Sequence, residues 1–223
     1  MKICIIIPTY NENKTIVGLL GELKLKDCDV LVVDDGSLDS TAELAERSGA
    51  MLLRHKKRLG KGVSIRDGFD FAIKNNYDAV ITMDGDGQHS AQDVVKFIDY
   101  ACELKPDIIV GNRMANPKGM PFVRQLTNKL MSKIISAMCR QEIPDSQCGF
   151  RFITCEVLKN IGLGSSNFEI ESEVLIEAAR YGYKIASIPI QTIYGNEKSR
   201  INPFSDTLRF FKFIFKQLWI SKS

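Results

Sequence analysis

Asp84 and Asp86, two acids separated by one glycine in the run Met83-Asp84-Gly85-Asp86-Gly87-Gln88, are the residues of this chain most suited to chemistry. Carboxylates are hard oxygen donors. A pair this close suits Mg2+ or Mn2+, which bind through one or two carboxylates together with phosphate oxygens. Gly85 and Gly87 let the backbone bend tightly enough for both side chains to turn toward one point. The same residues also suit a solvated Asp-Gly turn, and an isolated Asp-x-Asp is a weak motif. What else the fold brings to the same place decides between the two.

The preceding run, Ala79 to Met83, is short, apolar and rich in β-branched residues, as expected of a buried strand. Lys2 to Pro8, Val30 to Val33, Met51 to Leu53 and Asp107 to Val110 read the same way. Helical spacing fills the intervals: Thr15 to Leu25, the turns after Asp39 or Ser40, Gly60 to Ile73, and Ala91 to Leu104 behind a Ser90 cap. This alternation predicts an α/β protein with a mostly parallel central sheet flanked by helices. Such sheets bind ligands beyond the C-terminal ends of their strands. Tyr10 to Glu12, Asp34–Asp35 and Asp84 to Gln88 then gather at one edge, as a nucleotide-type ligand would need. Beyond Gly111 come a linker (Asn116 to Pro121), a helix from Phe122 to about Cys139, a strand near Phe152 and a helix from Phe168 to Tyr181. Residues 184–191 suggest an edge strand, since Pro189 argues against a central position.

The chain has 223 residues, 44% hydrophobic and 26% charged, enough for one domain with a sizeable core. A net charge of +3 is too mild to imply nucleic acid. Lys2 precedes only a brief apolar run before Pro8, which is no signal peptide. No stretch approaches the roughly 20 apolar residues of a membrane span. The six cysteines form no CxxC pair and read as buried hydrophobes of a cytoplasmic protein. With His55 and His89 the only histidines, a His-based metal site or a Ser-His-Asp triad has little material. No GxGxxG follows the first strand, which speaks against an NAD-linked oxidoreductase. Pro8 to Glu12 is likewise not the glycine-rich loop of a nucleotidyltransferase.

Taken together, Ile7-Pro8-Thr9-Tyr10-Asn11-Glu12, Val33-Asp34-Asp35-Gly36-Ser37, Met83 to His89, Gly111-Asn112-Arg113 and Asp145 to Arg151 resemble family 2 glycosyltransferases of the GT-A fold. More narrowly they are similar to the dolichol-phosphate mannosyltransferases and bacterial polyprenyl-phosphate relatives, across roughly residues 3–200. The resemblance implies a GT-A domain over 1–200, with a nucleotide-sugar half (1–112) and an acceptor half (113–200). It implies that Pro8, Tyr10, Glu12, Val33 and Asp35 line the pocket for the donor's base and ribose. Asp84, Gly85 and Asp86 would face the diphosphate, with Asp86 the more direct ligand of the metal and Gln88 a neighbouring contact. Arg113, Arg124 and Arg151 would bring positive charge to the donor diphosphate or the acceptor phosphate, arginine's fork matching phosphate oxygens. Asp34 reads equally well as a brace of its own loop.

The reaction implied is inverting transfer of one sugar from a GDP- or UDP-sugar to a polyprenyl phosphate, with the cation stabilising the departing diphosphate. A lipid phosphate is already anionic near neutral pH and needs no protein base. A hydroxyl acceptor, the alternative, would need a carboxylate in reach: Asp145 first, then Glu169, Glu171 or Glu173. For at least two of those glutamates, the helix macrodipole is explanation enough. A binding module without catalysis is a further reading, against which the intact Asp84/Asp86 pair and Arg151 speak. In the family a basic lid closes over the site near residues 194–200. Ser199 and Arg200 fit it as phosphate contacts, whereas Tyr194 stands where mannosyltransferases have arginine. Arg58-Leu59-Gly60-Lys61-Gly62 departs from the family's pattern at Arg58, and Lys61 reads as a solvated residue at a helix entry.

Residues 201–223 read as a C-terminal amphipathic helix. Phe210, Phe211, Ile214, Phe215, Leu218 and Trp219 form a wide apolar face beside a stripe of Arg209, Lys212 and Lys216. Packing on the core is its default role. The alternative is docking on the cytoplasmic face of a membrane, directly or through a membrane-protein partner. The sequence leaves the oligomeric state open.

Overall fold

The computed structural model describes residues 1–26, 28–193, 209, 210, 212–215 and 217. Its frame is a seven-stranded sheet of order β3-β2-β1-β4-β6-β5-β7. In chain order the elements are β1 (Ile3–Thr9), α1 (Ile16–Leu23), β2 (Asp29–Asp34), α2 (Thr41–Arg47), β3 (Met51–Arg54), α3 (Lys61–Lys74) and β4 (Ala79–Thr82). There follow α4 (Asp93–Leu104), β5 (Ile108–Asn112), α5 (Phe122–Cys139), β6 (Arg151–Thr154), α6 (Cys155–Asn160), α7 (Glu169–Arg180) and β7 (Ile185–Pro189).

Strands β1, β2 and β4 are continuous apolar runs because helices cover both faces of the sheet. Cys4 to Ile7, Val32, Val33 and Ala79 to Ile81 have no solvent exposure. In α1, Ile16, Leu19, Leu20 and Leu23 recur at helical spacing and are all buried. Against the other face, α3 brings Gly68 so close to β1 that a Cβ there would lie 2.5 Å from Ile6 Cγ2. Any larger side chain would force α3 away from the sheet.

Only β6 runs antiparallel to its neighbours, inserted between β4 and β5, with Arg151 opposite Thr82 on one side and Val110 on the other. The remaining pairs are parallel. One edge of the sheet therefore collects the C-terminal ends of β1, β2, β4, β5 and β7, together with the start of β6. Residues from the 113–200 segment thus complete the same sheet edge as residues from 1–112.

Several boundaries differ from the sequence expectations. Helix α4 begins at Asp93 rather than Ala91, because Ser90 instead accepts the Gln92 and Asp93 N–H groups in a turn. The edge strand near 184–191 is β7, with Pro189 as its last residue. Helix α6 was not expected; it follows β6 directly, and six residues give too short a periodic pattern to read. Phe210, Phe213, Ile214 and Gln217 of the C-terminal segment are buried helical residues, while Arg209, Lys212 and Phe215 are exposed. Ser199, Arg200 and Tyr194 lie outside the described residues. None of the six cysteines forms a disulfide among the described residues, and burial pushes the thiols of Cys4, Cys139 and Cys148 up to about 12. Among the described residues no helix is long and apolar enough to cross a membrane.

Candidate active site

At the tip of β4 the chain turns through Gly85 and Gly87. The Gly85 carbonyl accepts the Thr15 hydroxyl at 2.7 Å, tying the turn to the start of α1. Gly87 has φ +73°, a left-handed conformation that glycine adopts without strain. Asp86 Oδ1 accepts the Gln88 N–H at 3.0 Å, and the Gln88 carbonyl accepts the Ile193 N–H at 2.9 Å. The turn is therefore pinned from both sides. Asp84, Asp86 and Gln88 remain half-buried, reachable from solvent beyond the sheet edge.

Lys61, the first residue of α3, joins two acids. Its Nζ lies 2.6 Å from Asp84 Oδ1 and 2.6 Å from Glu171 Oε1. Burial alone would raise the Asp84 carboxyl, but the Lys61 ammonium outweighs it and holds Asp84 at about 2. Burial works against the ammonium in the same way, and the two carboxylates outweigh it, raising the Lys61 value. The cluster is packed against the Gly149 backbone. A Cβ on Gly149 would lie 2.9 Å from Asp84 Oδ2 and 3.0 Å from Glu171 Oε1.

A chain of contacts fixes Lys61. Asp35 accepts the Leu59 and Gly60 N–H groups at 2.7 and 2.8 Å, setting the entry of α3. Asp35 also meets His55 Nδ1 at 2.9 Å, and His55 Nε2 meets Asp67 at 2.9 Å. Asp34 braces its own loop by accepting the Ser37 N–H and pairing with Arg54 Nε at 3.3 Å. Beside these residues lies an open recess of about 320 Å³ lined by Gly36, Ser37, Leu38, Arg54, His55 and Lys56. Tyr10 stands half-buried with the Arg58 guanidinium 4.3 Å from its ring centre, a cation–π contact. Pro8 and Glu12 are also half-buried at this edge.

The structure moves several sequence expectations. Val33 has no solvent exposure and belongs to the core, so its side chain does not line the base pocket. Asp35 is buried, with its oxygens engaged by His55 and by the N–H groups that open α3. Arg113 and Asp145 form a buried two-point ion pair at 2.8 and 2.9 Å, and Asp145 also accepts the Arg113 backbone N–H. A carboxylate so enclosed has no free edge to take a proton from an acceptor hydroxyl, and two of the Arg113 guanidinium nitrogens are held in the same pair. Arg151, 2% exposed, spends its guanidinium on the carbonyls of Cys148, Ser146 and Glu171. It is therefore a tie between β6, the 145–149 loop and α7. Arg124 sits half-exposed on the first turn of α5, without a hydrogen bond or ion pair among the described residues. Of the three glutamates, Glu173 accepts the Gly164 and Ser165 N–H groups, Glu169 lies in the first turn of α7, and only Glu171 enters the acid cluster.

Sequence reasoning read Lys61 as a solvated helix-entry residue, whereas it is paired with Asp84 and Glu171, and that reasoning gave His55 no part in the site. Lysine at a helix entry is ordinary, and its two partners come from β4 and α7, far away along the chain. His89, next to the turn, is buried against Phe150 at a ring-centre distance of 5.2 Å. Burial pushes its imidazole down to about 4.

Among the described residues no three His, Cys, Asp or Glu side chains converge as a ready-made metal cage. Asp84 and Asp86 instead offer two hard oxygen ligands on a glycine turn open to solvent. That donor set fits a Mg2+ or Mn2+ ion completing its shell with water and diphosphate oxygens.

Comparison with known proteins gives the family and the fold. The family model described as Glycosyl transferase family 2 matches residues 4–162. A UDP-N-acetylglucosamine–dolichyl-phosphate N-acetylglucosaminyltransferase of Methanococcus voltae is 32% identical over 86% of this chain and 86% of its own length. The dolichol-phosphate mannosyltransferase of Pyrococcus furiosus is 30% identical over 85% of this chain, which spans 56% of that longer protein. In fold, the chain is similar to glucosyl-3-phosphoglycerate synthase from Mycobacterium tuberculosis, solved with Mn2+ and UDP (TM-score 0.74, 17% identity, 97% of this chain and 78% of that one). The chain belongs to glycosyl transferase family 2 and is a glycosyltransferase of the GT-A fold.

Proposed function

We propose that this glycosyltransferase moves one sugar, with inversion, from a nucleoside diphosphate sugar to a polyprenyl phosphate. The observation that carries this reading is the solvent-reachable Asp84/Asp86 turn beside a half-buried Lys61 paired with the buried Glu171. Relatives named for two different sugars on dolichyl phosphate support the acceptor class.

A Mg2+ or Mn2+ ion held by Asp84 and Asp86, with Gln88 beside it, would neutralise the charge developing on the departing diphosphate. The remaining tasks fall to the chain's own residues. Lys61 keeps Asp84 ionised and aimed at the sheet edge. Pro8, Tyr10 and Glu12, with the recess beside Asp35, offer one ring face and hydrogen-bond acceptors for base and ribose. Arg124 is the arginine left outward-facing for an acceptor phosphate, and Ser199 and Arg200 keep that role as part of the same proposal.

The acids favour a phosphate over a hydroxyl acceptor. Asp145 is locked to Arg113, Glu173 is occupied by backbone, and Glu171 is paired with Lys61. An acceptor that arrives already anionic asks for no base.

The test is incubation with membranes, Mg2+ or Mn2+, and a panel of radiolabelled GDP- and UDP-sugars. Label that extracts into organic solvent and is released by mild acid supports the proposal. Label found only in a water-soluble product would transfer the reading to a hydroxyl acceptor.

A further inference from the structure

Three loop ends meet beside Tyr10. The Asn11 N–H donates to Ser37 Oγ at 2.9 Å, and Asn11 Oδ1 accepts the Leu38 N–H at 2.8 Å. Gly36 lies so close to the next loop that a Cβ there would be 2.7 Å from the Lys57 carbonyl carbon and 3.0 Å from the Arg58 nitrogen. With the Leu59 and Gly60 N–H groups held by Asp35, the backbone on both sides of Arg58 is fixed. Its side chain is exposed, with the guanidinium 4.3 Å from the Tyr10 ring centre. Among the described residues no carboxylate pairs with it. A cation–π contact at an exposed site is weak, so a base can take the ring face and leave the guanidinium at its edge.

The other charged groups of this corner are engaged. Arg54 pairs with Asp34 and Glu43 and donates to the Ser37 carbonyl. Both Asp35 oxygens accept from neighbours within the protein. Recognition of a base edge here falls to a donor, Arg58, rather than to the Asp35 carboxylate. A guanidinium fork offers two parallel N–H groups. Guanine presents two adjacent acceptors, O6 and N7, to such a fork. Adenine puts an amino group beside N7, and uracil has no second acceptor beside either carbonyl.

We infer that Arg58 selects the donor's base: it takes O6 and N7 of guanine in two-point fashion while the base stacks on Tyr10, and the donor is a GDP-sugar. The inference rests on the nucleoside diphosphate sugar reading and adds to it which base is taken and by which residue.

The test is calorimetric titration of GDP, UDP, ADP and 7-deaza-GDP into the full chain with Mn2+. GDP should bind at least tenfold more tightly than UDP or ADP. Replacing N7 by carbon removes one of the two bonds, so 7-deaza-GDP should bind about tenfold more weakly than GDP. Arg58→Gln and Arg58→Lys should both bring GDP, 7-deaza-GDP and UDP to within about threefold of one another, since lysine keeps the charge without the fork. Thermal unfolding of both variants should match the wild type. Binding of UDP as tight as that of GDP, undiminished binding of 7-deaza-GDP, or a guanine preference that survives Arg58→Lys would each overturn the inference. A tight UDP complex would do so while leaving the sugar-nucleotide reading intact, whereas failure of every nucleotide to bind would bring down both.

Discussion

The carboxylates at the tip of β4 and the arginines around β6 occupy the same sheet edge and have opposite fates. Asp84 and Asp86 stand on a glycine turn that solvent reaches. Arg113 and Arg151 lie within the protein, one in an ion pair with Asp145 and the other on three carbonyls. On the proposed reading, the contrast separates ligand-facing charge from scaffold charge. A buried guanidinium with its donors satisfied fixes the loops around a site, and a half-exposed acid on a pinned turn can take a ligand from solution.

Substitutions should therefore split cleanly between the two regions. Asp86→Ala should lower sugar transfer by about 10³-fold, the scale on which losing a group that stabilises transition-state charge is felt, while thermal unfolding is unmoved. Arg151→Met should do the reverse. Leaving buried carbonyls without a donor should cost about 3–5 kcal/mol in urea unfolding. A stable Arg151→Met protein with only a raised KM would return Arg151 to the role of phosphate ligand.

Acid should act on the same edge through His89. Burial holds its folded value at about 4, against 6.5 for the free side chain. The unfolded chain thus binds more protons between those values. Stability should be complete above pH 6.5 and fall by about 3 kcal/mol as the pH drops toward 4. His89→Gln should flatten that slope, and an unchanged slope would assign it to other groups. The smallest effect expected is at Lys61. Lys61→Met leaves Asp84 and Glu171 without their shared counter-ion and should cost about 2 kcal/mol. Mn2+ should raise the melting temperature of this variant more than that of the wild type; equal shifts would separate Lys61 from the cation site.

Much of the frame was legible in the chain. The apolar runs of β1, β2 and β4 and the period of α1 follow from burial on two faces and on one. The insertion of β6 between β4 and β5 was not, because four residues carry no record of which strands they will join. At the site, the turn at Asp84 and Asp86 could be placed because a strand and two glycines fix where it falls. The arginines could not: residue type and spacing are the same whether a guanidinium points to solvent or to Asp145. Lys61 escaped for a related reason, since its partners come from β4 and α7, which approach it only in the folded sheet.

The most direct test is calorimetric titration of GDP and UDP into the protein with Mn2+ and with EDTA, for the wild type and Asp86→Ala. One of the two nucleotides should bind the wild type at least tenfold more tightly with Mn2+, and Asp86→Ala should abolish that difference. Equal affinity with Mn2+ and EDTA, or a cation effect that survives Asp86→Ala, would contradict a cation held at the β4 tip.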